Sequence, residues 1–197
     1  NISLDHLGEA RSLYQYAADQ FNGLSADVRA SLFATPLVQQ VNGPVDEDDL
    51  AYLRDVPDFR NVLLAEQPNG DWAYTVARSF FLDTFNFYLF SILQHCKDKT
   101  LAAIAEKSLK EATYHIRWSS EWVIRLGDGT EESHRRMQQA LDDLWMYTGE
   151  LFLPSAAEQV VAASGKGIAG NTLKDDWMRR IAAITGEATL ALPEAAW

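Results

Sequence analysis

Three acidic side chains interrupt strongly apolar helical stretches of this sequence: Asp5, Asp83 and Glu111. A carboxylate on the buried face of a helix is costly unless it is paired, hydrogen-bonded or bound to a metal. Carboxylates placed in this way on separate helices are the arrangement from which a di-iron site in a helical bundle is built. The first chemistry that the sequence suggests is therefore that of a di-iron carboxylate protein.

The histidines that such a site requires do not stand at the required spacing. A di-iron bundle takes single carboxylates from two helices and Glu-x-x-His from two others, since residues three apart share a helix face. The residue three positions after Asp5 is Gly8, and the residue three positions after Glu111 is Tyr114. His115 follows one position late, rotated by about 100° around the helix. We therefore predict a vestigial site that holds no metal, at positions Asp5, Gly8, Asp83, Glu111 and Tyr114.

Without a metal, the mutual repulsion of the acids must be relieved in another way. We expect either protonated carboxyl groups or an internal network of salt bridges and hydrogen bonds in place of the metals. Four basic side chains close in sequence are candidates for this network: Arg11, Arg78, Lys110 and Arg117.

The hydrophobic pattern leaves open which acids face the interior. Asp5 lies between Leu4 and Leu7 and could instead be an exposed acid in the first turn of its helix. Glu111 and His115 share one helix face with large apolar residues, but a second face of the same helix could carry the core. The first face comprises Leu101, Ile104, Ser108, Glu111, His115, Trp118 and Trp122, and the second comprises Leu109, Ala112, Ile116 and Val123.

The elements that carry these residues are predicted to be helices, because no stretch shows sustained strand alternation. Asp71 and Thr130 are placed to cap two of them. The helix after Asp71 is apolar nearly all round, which predicts a central position in a bundle. We expect an all-α, up-and-down bundle with additional helices, forming one domain over residues 1–197. The predicted helices span residues 2–21, 72–95, 100–126, 130–153 and 173–186, with short helices within 26–40 and from 46, and a loop over 164–171.

Composition narrows the possible partners. The chain has 197 residues and a formal net charge of −11, which disfavours nucleic acid and anionic membranes. The longest apolar run, residues 80–93, is too short and too polar for a transmembrane helix.

Cys96 is the single cysteine, so no intrachain disulfide can form, and we expect a reducing, cytoplasmic location. No nucleophile elbow or Cys/His pattern supports hydrolase chemistry.

Several motifs resemble the C-subunit family of bacterial phenylacetyl-CoA epoxidase. The resemblance runs from Asn1 to about Pro193 and is carried by NISLDHLGEAR at residues 1–11, NVLLAEQPNGD at 61–71, KEATYH at 110–115, LGDGT at 126–130, MQQA at 137–140 and LW at 144–145. Members of this family usually begin with one more helix and end with a further helical segment, and we expect both to be missing here.

The resemblance implies a ferritin-like bundle within a multicomponent monooxygenase of aerobic phenylacetate catabolism. That complex uses O₂ and NADPH to epoxidise the ring of phenylacetyl-CoA. In the family, the di-iron site and the CoA ester are held by the catalytic A subunit, and FAD and an iron–sulfur cluster are held by a reductase. The chain would then be a non-catalytic structural subunit that binds no cofactor. It would pair with the A subunit of the epoxidase and with other subunits, or with itself when alone.

Two other functions are alternatives to this one. The first is a di-iron carboxylate oxygenase active in its own right, with His115 as an unusual ligand. The second is a ferritin-like iron store, for which neither a ferroxidase site nor a signal for cage assembly is visible. The aromatic residues Trp118, Trp122, Trp145 and Tyr147 could line a subunit interface or form an ordinary aromatic core.

Overall fold

The computed structural model describes residues 2–32, 41 and 43–194 of the chain. By its internal contacts the chain divides into two compact units, Asn1–Arg60 (unit 1) and Asn61–Trp197 (unit 2). All regular elements in the described residues are helical, which confirms the all-α prediction. One domain over residues 1–197 stays a prediction.

Unit 1 is built around the packing of its first helix on its third. Ala18, Val45 and Leu50 form a small buried core. The Asn22 side chain donates to the Val45 carbonyl at 2.7 Å and accepts from the Val45 amide at 2.9 Å, which ties the end of the first helix to the later loop. Its elements are α1 (Ile2–Asn22), α2 (Ala26–Leu32), α3 (Glu47–Tyr52) and a 3₁₀ turn (Val56–Asp58).

The apolar residues of α1 are buried only in its second half. Ala18 is buried, whereas Leu4 and Leu7 are 59% and 64% exposed. The helix predicted within residues 26–40 is observed as α2, and its expected continuation over residues 33–40 lies outside the described residues.

Unit 2 holds the main core, which α5 shares with three other helices. This helix packs against α6, α7 and α9, so the central position predicted for it is confirmed. The predicted caps are confirmed as well, since Asp71 accepts from the Ala73 and Tyr74 amides and Thr130 accepts from the Ser133 amide. The helices are α4 (Leu63–Glu66), α5 (Trp72–Leu93), α6 (Lys99–Gly127), α7 (Glu131–Trp145), α8 (Ala156–Ala163) and α9 (Lys174–Glu187).

The chain after α7 differs from the prediction. The helix expected to run to about residue 153 ends at Trp145, and a 3₁₀ turn follows at Gly149–Phe152. Ser155 then caps α8, a helix that was not predicted from the sequence and that buries none of its residues. The last two residues of the loop predicted over 164–171 begin a third 3₁₀ turn, Gly170–Leu173.

An aromatic cluster closes the core of unit 2 around Trp177. Its ring centroid lies 5.7 Å from that of Phe81, 5.9 Å from that of Trp145 and 5.2 Å from that of Phe152. The Trp177 indole also donates to the Phe81 carbonyl at 2.9 Å, so its one polar group is satisfied inside the core. Trp145 is buried in this core, and the partly buried Tyr147 and Trp122 pack against it.

The close contact between the ends of α6 and α9 generates a first prediction. A Cβ added at Gly127 would lie 2.4 Å from the Ala188 carbonyl oxygen, whereas a Cβ at Gly186 meets nothing within 4 Å. We expect Gly127→Ala to lower the free energy of unfolding by about 1–3 kcal/mol. Gly186→Ala, the matched control one residue before the end of α9, should leave it unchanged or raise it by up to about 1 kcal/mol. Urea unfolding followed by circular dichroism measures both, and equal effects would contradict the packing.

A second prediction concerns the contact between α5 and α7. The Tyr74 hydroxyl donates to the Asp143 carboxylate, and this hydrogen bond, with burial and the nearby negative charge, raises the pKa of Tyr74 from 10 to about 12. Since the folded pKa lies above the unfolded one, the contribution to stability is complete below pH 10 and is lost as the pH rises from 10 to 12.

Tyrosinate absorbance measures this shift. The difference between the wild type and Tyr74→Phe should show one tyrosine that ionises near pH 12. In Asp143→Asn the same tyrosine should ionise closer to pH 10. A tyrosine that still ionises near pH 12 in this variant would show that Asp143 does not raise the pKa of Tyr74.

Candidate functional site

Two ionisable side chains lie buried between α5 and α6. Asp83 of α5 is 2% exposed and His115 of α6 is 1% exposed. A carboxylate oxygen of Asp83 and a ring nitrogen of His115 lie within 4.8 Å of each other. The interior position that the sequence predicts for Asp83 is therefore confirmed, and its neighbour on α6 is a histidine.

The neighbouring residues explain how both helices accommodate polar groups in a core. On α5, Phe80 and Phe81 are fully buried, and the Thr84 hydroxyl bonds back to the Phe80 carbonyl at 2.7 Å. On α6, the Ser119 hydroxyl likewise returns to the His115 carbonyl at 3.0 Å. Both hydroxyl groups therefore donate their hydrogen bonds to carbonyl oxygens of their own helices. The buried face of α6 is mainly small: Ala105, Ser108, Ala112, Ser119 and Ser120.

The buried face of α6 combines the two faces that the sequence left open. Ser108 and His115 of the first face are buried, and so are Ala112, Ile116 and Val123 of the second. A helix that packs against α5, α7 and α9 buries a face wider than a single stripe, so both sets contribute. Glu111, Trp118 and Trp122 are partly exposed at the edges of this face, and Leu109 is partly buried.

The two positions of the expected Glu-x-x-His motif on α6 do not both face inward. Glu111 is partly exposed, and Tyr114 is 54% exposed. His115, one residue later, occupies the interior instead. A dinuclear carboxylate site needs the histidine and the glutamate of one helix directed at the same metals. The residues of α6 do not fit that requirement.

In unit 1, the predicted positions on α1 carry no buried carboxylate. Asp5 is partly exposed in the first turn, and a Cβ added at Gly8 would meet nothing within 4 Å. The buried acid of this helix is Glu9, whose Oε2 lies 2.9 Å from Nδ1 of His6. Sequence reasoning missed this pair, although its spacing of three residues is visible as a Glu-x-x-His motif in reverse order.

The basic side chains proposed to neutralise the acids have other partners. Arg11 donates to Glu47 at 3.1 Å. Arg78 donates to the Asn69 side chain at 2.8 Å and to two carbonyls of the preceding loop. Lys110 is exposed at the surface. Arg117 pairs with Glu121 at 3.3 Å. Because all three arginines bind other groups, the expectation that they neutralise the acids of the vestigial site is wrong.

Asp83 and His115 are the two polar groups that define what this site can do chemically. An imidazole beside a buried carboxylate compensates part of the cost of burying it, as an ion pair or as a hydrogen-bonding neighbour. The geometry of α5 and α6 therefore favours a structural polar pair in the core.

The chain is similar to known proteins along its whole length. The profile of the family described as phenylacetic acid catabolic protein matches residues 1–197. The C subunit of 1,2-phenylacetyl-CoA epoxidase from Escherichia coli (strain K12) is 42% identical over 196 residues, which cover 98% of this chain and 70% of that protein.

Among the described residues, no helix has both the length and the apolar character needed to cross a membrane.

The third prediction tests the coupling between Asp83 and His115. We expect Asp83→Asn and His115→Gln each to lower the free energy of unfolding by about 2–4 kcal/mol, because each leaves the other group poorly compensated. The double variant should lose about 1–3 kcal/mol less than the sum of the two.

Chemical denaturation of the four proteins measures this cycle. Tyr114→Phe, which alters the exposed neighbour of His115, is the control and should change stability by less than about 0.5 kcal/mol. Strictly additive single effects would show that Asp83 and His115 do not stabilise one another.

Proposed function

The chain belongs to the phenylacetic acid catabolic protein family, and we propose that it is a structural subunit of a phenylacetyl-CoA epoxidase that binds no catalytic metal. The observation that supports this most directly is the placement of Tyr114. Where a di-iron helix would direct a histidine at the metals, α6 has a tyrosine that is 54% exposed. The protein then contributes shape and surface to its complex, and the chemistry takes place elsewhere.

The relative from Escherichia coli is named as a subunit of 1,2-phenylacetyl-CoA epoxidase, so the proposed role includes partner chains. In this role the chain pairs with a catalytic subunit that carries the di-iron site. Other subunits supply electrons from NADPH through FAD and an iron–sulfur cluster, and the complex works in the cytoplasm. None of these cofactors is assigned to this chain.

The core of unit 2 suits such a role. Its largest buried side chains interlock around Trp177, and the polar pair of Asp83 and His115 is enclosed between α5 and α6. A subunit that supports a partner must keep the shape of its surface. A close-packed interior of this kind has low compressibility and therefore holds that shape.

A di-iron carboxylate oxygenase active in its own right is the second candidate. The observation in its favour is that Asp83 and His115 are both metal-ligand types and lie within 4.8 Å of each other. The observation against it is that Glu111 and Tyr114 do not complete the set, as the partly exposed glutamate and the exposed tyrosine indicate.

The fourth prediction separates the two functions by iron content and activity. The full chain, expressed alone in iron-supplemented medium, should contain well under about 0.2 iron per chain and show no oxygen-dependent turnover of phenylacetyl-CoA. Co-expressed with its catalytic subunit, it should co-purify as a complex. Elemental analysis and gel filtration are the measurements, with the catalytic subunit expressed alone as the iron-binding control.

About two irons per chain in the isolated protein would establish the second candidate. A chain that stays monomeric beside the catalytic subunit would contradict the structural role.

A further inference from the structure

The outer face of α6 is basic, although the chain as a whole is strongly acidic. The helix contains five lysine and arginine residues and three glutamates, so it carries a net charge of +2 within a chain of net charge −11. Six exposed residues follow one another at spacings of three or four and therefore line one side of the helix. We call this set the α6 stripe: Lys107, Lys110, Tyr114, Arg117, Glu121 and Arg125.

The α6 stripe is long, and three of its charged groups lie close to one another. From Lys107 to Arg125 it extends about 27 Å along the helix axis. Glu121 lies 3.3 Å from Arg117 and 3.9 Å from Arg125, so one acid stands between two guanidinium groups. Four of the six residues are basic, and the stripe keeps an excess of positive charge after this pairing.

Aromatic side chains border the C-terminal half of the stripe. Arg125 lies over the Trp122 ring at 5.5 Å from its centroid. Trp72, which is exposed, makes edge contacts with Trp118 at 5.9 Å and with Trp122 at 5.4 Å. The surface here combines arginine, tyrosine and tryptophan, the three residue types most enriched among the dominant contacts of protein interfaces.

From this charge pattern we infer that the α6 stripe is a docking surface for an acidic face on the catalytic subunit of the same complex. The partner would present carboxylates to Lys110 and Arg117 and an apolar pocket to the Tyr114 ring. This inference rests on the proposed function, because it takes the partner from the complex to which the chain is assigned.

Charge also argues against the other occupants. In a symmetric contact between two copies, the same patch would face itself and bring basic residues against basic residues. Each copy would in addition carry a net charge of −11. A nucleic acid would meet that same overall negative charge, which opposes its approach.

The fifth prediction compares two matched charge reversals. Arg117 is 76% exposed and pairs with Glu121 one turn along α6, whereas Arg179 is 75% exposed and pairs with Asp176 on α9. Arg117→Glu and Arg179→Glu therefore make the same change of charge and each break one exposed local pair. We expect Arg117→Glu to weaken binding to the catalytic subunit by at least about tenfold and Arg179→Glu by less than about twofold.

The apolar contact is tested by a second pair of variants. Tyr114→Ala should weaken binding by at least about tenfold, while Tyr52→Ala, which removes an exposed tyrosine from unit 1, should leave binding unchanged. Biolayer interferometry on the full chain with the purified catalytic subunit, between 50 mM and 300 mM NaCl, gives the dissociation constants. Circular dichroism of each variant verifies that it is folded.

The possible outcomes separate this inference from the proposed function. Wild-type binding that weakens with salt and with Arg117→Glu, but not with Arg179→Glu, supports the docking surface. If the catalytic subunit binds the wild type and Arg117→Glu equally well, the docking surface is rejected and the structural role stands. If the wild type binds no other subunit, the proposed function is rejected, and the docking surface with it. Self-association through the stripe, or binding of duplex DNA at 150 mM NaCl that Arg117→Glu abolishes, would also reject the inference.

Discussion

A carboxylate in the middle of an apolar helix must find its compensation inside the protein, and in unit 2 the face that α6 presents to α5 meets this requirement. Asp83 lies on α5 among buried phenylalanines, and His115 of α6 lies beside it. Successive residues of a helix are about 100° apart, and on the two sides of the buried His115 the side chain of Tyr114 faces solvent whereas that of Ile116 is buried. The same rotation places Lys110 and Arg117 on the outer side. One buried polar pair thus relates the interior of the bundle to its surface chemistry.

The rest of unit 2 keeps this arrangement in place. Side-chain caps at Asp71, Asp98 and Thr130 satisfy the amides at the starts of α5, α6 and α7, so each helix begins at a defined residue. Trp177 then fixes α9 against α5 through ring contacts and a hydrogen bond to the Phe81 carbonyl. At the far end, the contact of Gly127 with the Ala188 backbone holds α6 close to the chain after α9. The rotation of α6 is therefore supported along its length.

Membership in the phenylacetic acid catabolic protein family gives these features a context. Within one fold, a change at a few interior positions separates a metal site from a metal-free core, because a metal needs its ligands at defined angles as well as of defined types. The core of this protein contains Asp83 and His115, and α6 carries no complete Glu-x-x-His motif. Under the proposed function, such a subunit provides a rigid surface, and α6 carries the part of it best suited to an acidic partner.

The all-α class, the main helices, two of the caps and the burial of Asp83 could be predicted from sequence, because periodicity and capping chemistry are local properties. The rotation of α6 could not, since both of its candidate faces were apolar and contact with three other helices buries parts of both. For the same reason the inward position of His115, the buried Glu9 and the actual partners of Arg11, Arg78 and Arg117 became visible only in the structure. Local sequence determines which residues can share a helix face, whereas the packing of distant helices determines which way that face is turned.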